Sequence, residues 1–316
     1  MAPEYSPLRD YGIIGNCRSA ALVSTGGAID WLCWPRFSSP SVFAALLDSV
    51  RGGRFVVRPA QPWTSTRRYV GESAVLETTF RTETGLARLT DLMPVMQEGA
   101  KSDELWPDHE LLRRLECVEG TMEVEVLFDP RPNYARAEPW FRRQPFGLMC
   151  AHRNQVFALQ SDHPLELASA NRGPARGRAT LAAGDTWTLS LAYCEQVAAI
   201  LPPLGEPVLA RIDRSVRWWN TWMSACGYQG PWASLVRRST ITLKLMTYSP
   251  SGAIVAAPTT SLPEAIGGIR NWDYRYCWLR DGAMTLRALF DLEFAEEGEA
   301  FLSWMLHSTS VTRRKV

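Results

Sequence analysis

The sequence predicts a multidomain chain, β first and α after: an antiparallel β-sandwich over residues 1–200, a helical linker over 201–230 and a further helical segment over 231–307. Three observations predict it. Short runs alternating apolar with polar residues recur through the first part, and Thr121-Met122-Glu123-Val124-Glu125-Val126-Leu127-Phe128 is the clearest of them. Gly, Pro, Asn and Asp collect between these runs without helix-period segments, which favours antiparallel pairing over βαβ units. Beyond the break Leu201-Pro202-Pro203-Leu204-Gly205 the apolar spacing becomes that of a helix.

The first 50 residues read as loop-rich, with one helix expected over Ser39–Asp48, where a Ser-Pro start precedes a helix-favouring interior. Gly26-Gly27 and Gly52-Gly53 read as turns, and the aromatic and acidic cluster Asp30-Trp31-Leu32-Cys33-Trp34-Pro35 suits either core or site. Strands are expected over Phe55–Arg58, Ala74–Arg81, Leu86–Leu92, Leu111–Val118, Met122–Phe128, Val156–Gln160 and Thr186–Tyr193. Helices follow over Val208–Ala225, Trp232–Tyr248, Trp278–Leu289 and Ala295–His307, the last with Glu296, Glu297 and Glu299 in its first turns, where the helix dipole favours acids. Trp218, Trp219 and Trp222 lie on or near one face of the first helix and are expected to pack between domains. Residues 308–316 are polar and unpatterned and read as an unstructured tail.

Composition excludes several classes. Among 316 residues, 46% are hydrophobic and 21% charged, as in ordinary globular proteins. A net charge of +1 leaves no electrostatic case for nucleic acid or an anionic membrane, and the one basic run, Arg313-Arg314-Lys315, is terminal. No membrane span is expected, and Met1-Ala2-Pro3-Glu4-Tyr5 lacks the basic and apolar regions of a signal peptide. Seven scattered cysteines without a C-x-x-C argue against a disulfide framework or zinc site, and so for free thiols in the cytoplasm. The four histidines are isolated from one another, so no metal, cofactor or Ser-His-Asp set is expected.

The chemistry concentrates in Asn271-Trp272-Asp273-Tyr274-Arg275-Tyr276-Cys277-Trp278-Leu279-Arg280-Asp281, where four large aromatics alternate with charged heads. Aromatic faces stack on sugar rings, and Arg and Asp heads hydrogen-bond hydroxyls in pairs, so the stretch reads as a sugar pocket. Tyr274, Tyr276 and Trp278 would line one side if extended. Arg280-Asp281 opens a helix, where a cap and a simple ion pair are the structural alternative. Glycoside hydrolysis needs two carboxyl groups flanking the bond. Glu264, Asp273 and Asp281 qualify only by proximity, and none has a context that picks it out as acid or base. A second constellation, Asn16, Cys17 and Arg18 with Asp30 and Trp31, could orient a ligand; Cys17 lacks a local base and reads as a buried structural thiol.

These residues carry a resemblance. Tyr11–Val23, Gly27–Cys33 and Pro35–Phe43 look like the opening of bacterial glycoside hydrolase family 15 proteins, and Ala256–Glu264 with Asn271–Asp281 look like the entry to that family's catalytic domain. The match runs from about residue 8 to about residue 306, with separated motifs in the expected order. The family comprises glucoamylases, glucodextranases and some trehalases, inverting hydrolases of α-glucosidic bonds. The resemblance implies an N-terminal β-sandwich, a helical linker and the first helices of an (α/α)6 barrel from residue 231. It implies that Arg280 and Asp281 hold glucose hydroxyls, with Trp278 and Tyr274 as the wall, and that the substrate is maltose, a malto-oligosaccharide or trehalose. The family's general acid and base are Glu residues on later barrel segments, and neither is assigned here. The expectation is therefore a truncated chain that is inactive alone; a non-catalytic carbohydrate-binding or interaction module is the alternative. Which α-glucoside is used, and the oligomeric state, are left open.

Overall fold

A computed structural model describes residues 5–96, 106–195 and 200–312. The basic run Arg313-Arg314-Lys315 and residues Met1–Glu4 of the expected leaderless terminus lie outside the described residues. The strands are β1 (Tyr11–Gly15), β2 (Ala20–Ser24), β3 (Ala28–Cys33), β4 (Ser41–Phe43), β5 (Arg54–Pro59), β6 (Thr64–Tyr69), β7 (Leu76–Arg81), β8 (Gly85–Leu92), β9 (Glu110–Asp129), β10 (Trp140–Gln144), β11 (Gly147–His152), β12 (Gln155–Ser161), β13 (Glu166–Leu167), β14 (Ala175–Ala182) and β15 (Thr186–Glu195). Four helices follow: α1 (Glu206–Met223), α2 (Ala233–Leu245), α3 (Leu279–Asp291) and α4 (Ala295–Thr312).

The strand pairings are antiparallel, and the 20-residue β9 belongs to two sheets. Its first half pairs with β8 and β15, and its second half with β5 and β14. Expecting two strands, Leu111–Val118 and Met122–Phe128, was wrong because Gly120 bends the strand rather than ending it. Gly120 has φ +67, and a Cβ there would sit 2.1 Å from the Thr84 carbonyl, so only glycine fits. Phe55 and Val57 from one sheet meet Phe80, Leu89 and Leu189 from the other in a single core. Each such side chain contributes about 1.5–3 kcal/mol by leaving water.

Arg113 occupies a core-facing position of β9 and is fully buried. Its Nε donates to Asp91 Oδ1 (2.7 Å) and its Nη2 to Asp91 Oδ2 (3.2 Å), across the β8–β9 register. The remaining N–H groups reach the Phe55 and Gly27 carbonyls (2.5 and 2.8 Å), so one side chain ties the two sheets together.

Two expectations for the first 50 residues fail. That stretch is not loop-rich: it contains β1, β2 and β3, and every residue of β3 is buried. Nor is Ser39–Asp48 a helix. Ser41–Phe43 pairs with β3, and the N–H groups of Ala44 and Leu46 donate to the Gly52 and Asp30 carbonyls, so tertiary partners override the propensity of Ala-Leu. The helical expectations hold to within a few residues, except at the end: α4 runs through Thr312, so residues 308–312 are helical rather than an unstructured tail. Among the described residues, no helix is long and apolar enough to cross a membrane.

α1 buries Val208, Arg211, Ser215, Trp219 and Met223, one stripe at helical spacing. Arg211 pairs with the buried Glu110 of β9, which also accepts from Ser190 Oγ of β15 (2.7 Å). Trp219 and Met223 then meet Ile241 and Leu245 of α2 and Cys17, Ala20 and Phe37 of the β-unit in one cluster. The tryptophan stripe thus packs at the junction, as its spacing predicts. Gly15 permits this approach, since a Cβ there would stand 3.1 Å from Leu245 Cδ2 and 2.7 Å from the Ser19 carbonyl.

Candidate functional site

The stretch Asn271–Asp281 is the returning arm of an irregular antiparallel pair. Its Trp272, Tyr274 and Tyr276 carbonyls accept from the N–H groups of Ser261, Ala257 and Ala256 (2.8, 2.9 and 3.2 Å). The pairing is extended, as alternating aromatics require, and it ends where Trp278 takes β geometry at the N-cap of α3. The other arm is tied to the β-unit by Trp31, whose Nε1–H donates to the Pro258 carbonyl (2.8 Å).

Two of the aromatic residues expected to form the wall come together. Tyr274 and Trp278 meet edge to face with ring centroids 5.3 Å apart, and Trp272 meets Trp278 at 6.0 Å. Trp278 Nε1–H donates to the Asp273 carbonyl (3.0 Å), and Trp272 Nε1–H donates to Glu264 Oε1 (2.9 Å), so both indoles are oriented. Tyr276 does not join: it is 55% exposed and lies outside these ring contacts.

Arg280 and Asp281 sit on the first turn of α3, with Arg280 Nη2 donating to Asp281 Oδ2 (3.0 Å) and Oδ1 (3.3 Å). Arg280 is largely exposed and Asp281 partly so. No side chain caps this helix, so Asp281 acts as an acid in a first turn rather than as a cap. The Gly282 N–H donates to the Trp278 carbonyl (2.9 Å), which sets the charged turn directly after the aromatic wall.

Asp273 is bound by Arg275. Nε donates to Oδ1 (2.9 Å), Nη2 to Oδ2 (2.7 Å), and the Arg275 backbone N–H to Oδ1 (3.0 Å). Partial burial works to raise this carboxyl's pKa, but those bonds outweigh it and hold Asp273 below the ordinary value. A carboxyl so held stays ionised and cannot store the proton of a general acid.

Sequence reasoning passed over Arg275. It is only 7% exposed, and its Nη1 leaves the hairpin to donate to the Ser39 carbonyl (2.8 Å) and to contact Cys33 Sγ (3.4 Å). Its Cζ lies 5.7 Å from the centroid of Tyr134. A charged residue between aromatics was visible; a partner 236 positions away was not.

The second constellation is not assembled. Asn16 and Arg18 turn to Asp108, through the Asn16 Nδ2 bond to its carbonyl (3.1 Å) and an Arg18–Asp108 ion pair (3.4 Å). Asp30 lies apart, accepting from Tyr11 (2.8 Å) and paired with Arg54 (3.3 Å). Trp31 is core. Cys17 is buried, its thiol pKa pushed up to about 11 by that burial, and its carbonyl accepts from the Ser249 N–H (2.7 Å). Cys17 belongs to the face of the β-unit that meets α1 and α2, whereas Asp30 is held by Tyr11 and Arg54, so the five residues do not form one site. Among the described residues, no group of three or more His, Cys, Asp and Glu is arranged to hold a metal ion.

Fold and site together define a protein with an antiparallel β-unit followed by a helical part, and with an aromatic and charged hairpin that contacts the β-unit. The chain belongs to the trehalase-like family: residues 3–170 match the family described as Trehalase-like, N-terminal, and residues 230–316 match Glycosyl hydrolases family 15. A trehalase of Mycolicibacterium smegmatis is 34% identical over 322 residues, covering 95% of this chain and 47% of the relative. A trehalase of Thermoplasma volcanium is 33% identical over 309 residues, covering 96% and 47%. One of Mycobacterium tuberculosis is 31% identical over 321 residues, covering 95% and 46%. The chain thus spans about half the length of these curated relatives.

Proposed function

We infer that this chain forms part of an α-glucoside hydrolase of the trehalase type, acting with inversion on terminal α-linked glucose. Residues 1–200 form its β-unit, 201–230 its linker, and the helices from residue 231 belong to an (α/α)6 barrel. The observation that carries the reading is the hairpin: in this chain an oriented pair of rings, Tyr274 and Trp278, precedes the Arg280–Asp281 pair. The similar proteins bear the name trehalase, which supports it. Arg280 and Asp281 would hold glucose hydroxyls as a charged pair, and the ring faces would cover the sugar's apolar side. Trehalose is favoured over maltose and malto-oligosaccharides by those names. The unbridged cysteines fit a reducing compartment, the cytoplasm.

The same geometry supports binding rather than proton transfer as the role of these residues. Inversion needs an acid and a base about 6.5–9.5 Å apart. Asp273 is engaged by Arg275, Asp281 by Arg280, and Glu264 accepts from Trp272. A polypeptide of residues 1–316 is therefore expected to bind trehalose without releasing glucose.

Tryptophan fluorescence during titration with trehalose and maltose tests this, alongside an assay for free glucose. Saturable quenching by trehalose, abolished by Asp281→Ala and by Trp278→Ala, is the expected result. A wild-type chain that responds to neither sugar overturns it.

A further inference from the structure

We propose that Arg275 is a positioning residue: seated in a socket of the β-unit, it sets the Tyr274–Trp278 wall, so that sugar affinity depends on residues that never touch the sugar. The proposal rests on the glucose reading of the hairpin given above.

The linkage can be followed atom by atom. The socket is made by the Ser39 carbonyl, the Cys33 thiol and the Tyr134 ring, all from the β-unit. Arg275 fills it with Nη1 and turns its other two donors onto Asp273. The Asp273 backbone carbonyl accepts from Trp278 Nε1–H, and Trp278 packs on Tyr274. One guanidinium therefore stands between the β-unit and the indole that begins the binding turn. Its planar fork serves both sides at once, which the single ammonium of a lysine cannot do.

The socket has its own strain. Asn133, Tyr134 and Ala135 are three consecutive non-glycine residues with φ of 57, 57 and 59. A left-handed turn of L-residues is disfavoured at each position, and such strain persists where the surroundings over-determine it. Here the Tyr134 N–H is held by Ser41 Oγ (3.2 Å) and the Ala135 N–H by the Arg131 carbonyl (3.1 Å). The turn brings the Tyr134 ring against Arg275. Tyr134 is partly buried and also packs against the buried cluster of Trp31, Cys33 and Ala44. The turn thus fixes one ring between that cluster and the Arg275 guanidinium.

The test uses the 316-residue chain with 5-fluorotryptophan, the Trp278 fluorine resonance being assigned with Trp278→Phe. Wild type is compared with Arg275→Lys, Tyr134→Leu and the double variant, each checked for native circular dichroism. Each single variant is expected to shift or broaden the Trp278 resonance and to weaken trehalose binding about tenfold, as a displaced binding group does. The double variant is expected to lose no more than the weaker-binding single, because both act through one contact. If an Arg275 variant does not fold, Ser41→Ala, which removes only the hydroxyl holding the Tyr134 N–H, gives the same reading. An unchanged Trp278 resonance and affinity in folded variants overturn the proposal while leaving the glucose reading intact. A wild type that ignores trehalose, with a Trp278 resonance that still responds to Tyr134→Leu, overturns the glucose reading and supports the positioning role.

Discussion

Two buried arginines carry the same bidentate bond to an aspartate and do different work. In the β-unit, Arg113 and Asp91 are both wholly shielded, and the spare N–H groups close on backbone carbonyls of the opposite sheet. At the junction, the Arg275 side chain is 7% exposed but Asp273 is 33% exposed, and the spare N–H groups cross from one structural unit to another. The interior pair is a closed circuit whose loss leaves a charge in a dry core. The junction pair is open on its carboxylate side, where water can replace what is lost. The lesson is that the partner's exposure, not the bond itself, separates a pin for the fold from a setting for a site.

The largest expected effect follows from the closed circuit. Arg113→Met strands the Asp91 carboxylate, and removing one partner of a buried pair costs about 3–5 kcal/mol. Urea unfolding of the β-unit should show a loss of that size, and Arg113→Met with Asp91→Leu should recover most of it. A single variant within about 0.5 kcal/mol of wild type, the range of ordinary surface changes, would erase the contrast.

An intermediate effect belongs to the open pair. Asp273 has a depressed pKa in the folded chain, so its contribution is complete above the ordinary aspartate value of about 3.9 and is lost as pH falls through the depressed value. Fluorescence of the hairpin tryptophans should hold steady on acidification from neutrality and change only below about pH 4. Asp273→Asn should remove that transition. A midpoint above the ordinary value would mean that burial, not Arg275, governs the group.

The smallest effect provides the baseline. Arg58 and Glu125 form a 2.6 Å pair with side chains 45% and 37% exposed. Arg58→Ala should change stability by no more than about 1 kcal/mol in thermal unfolding, since exposed pairs are screened. A loss as large as that of Arg113→Met would show that exposure does not rank these pairs.

Much of the fold is legible in the sequence. Strands β5, β7, β8, β12 and β15, each an apolar or alternating run bounded by turn residues, fall close to their expected positions. The helices do too, because their apolar stripes face a real junction. What escaped notice has physical causes. β6 alternates, but its residues Thr64–Tyr69 are polar on both faces, which hides it from an apolar pattern. β1 to β3 are short, β1 carries two glycines, and their burial comes from strands and helices far along the chain. At the site, composition pointed to the stretch Asn271–Asp281 and the family resemblance singled out Tyr274, Trp278, Arg280 and Asp281; the structure places Tyr274 against Trp278 and puts Arg280 and Asp281 on the first turn of α3. The role of Arg275 could not be read, because its socket is built from Cys33, Ser39 and Tyr134, which become neighbours only when the β-unit folds.

The long strand β9 has a consequence for how the β-unit comes apart. Because one continuous backbone from Glu110 to Asp129 supplies a ladder to both sheets, neither sheet can peel away while the other stays whole. Opening at either end has to travel through the Gly120 bend into the neighbouring ladder. The β-unit is therefore expected to behave as one cooperative block in amide hydrogen exchange, its slowest protons on β9 and its partners exchanging together through global opening.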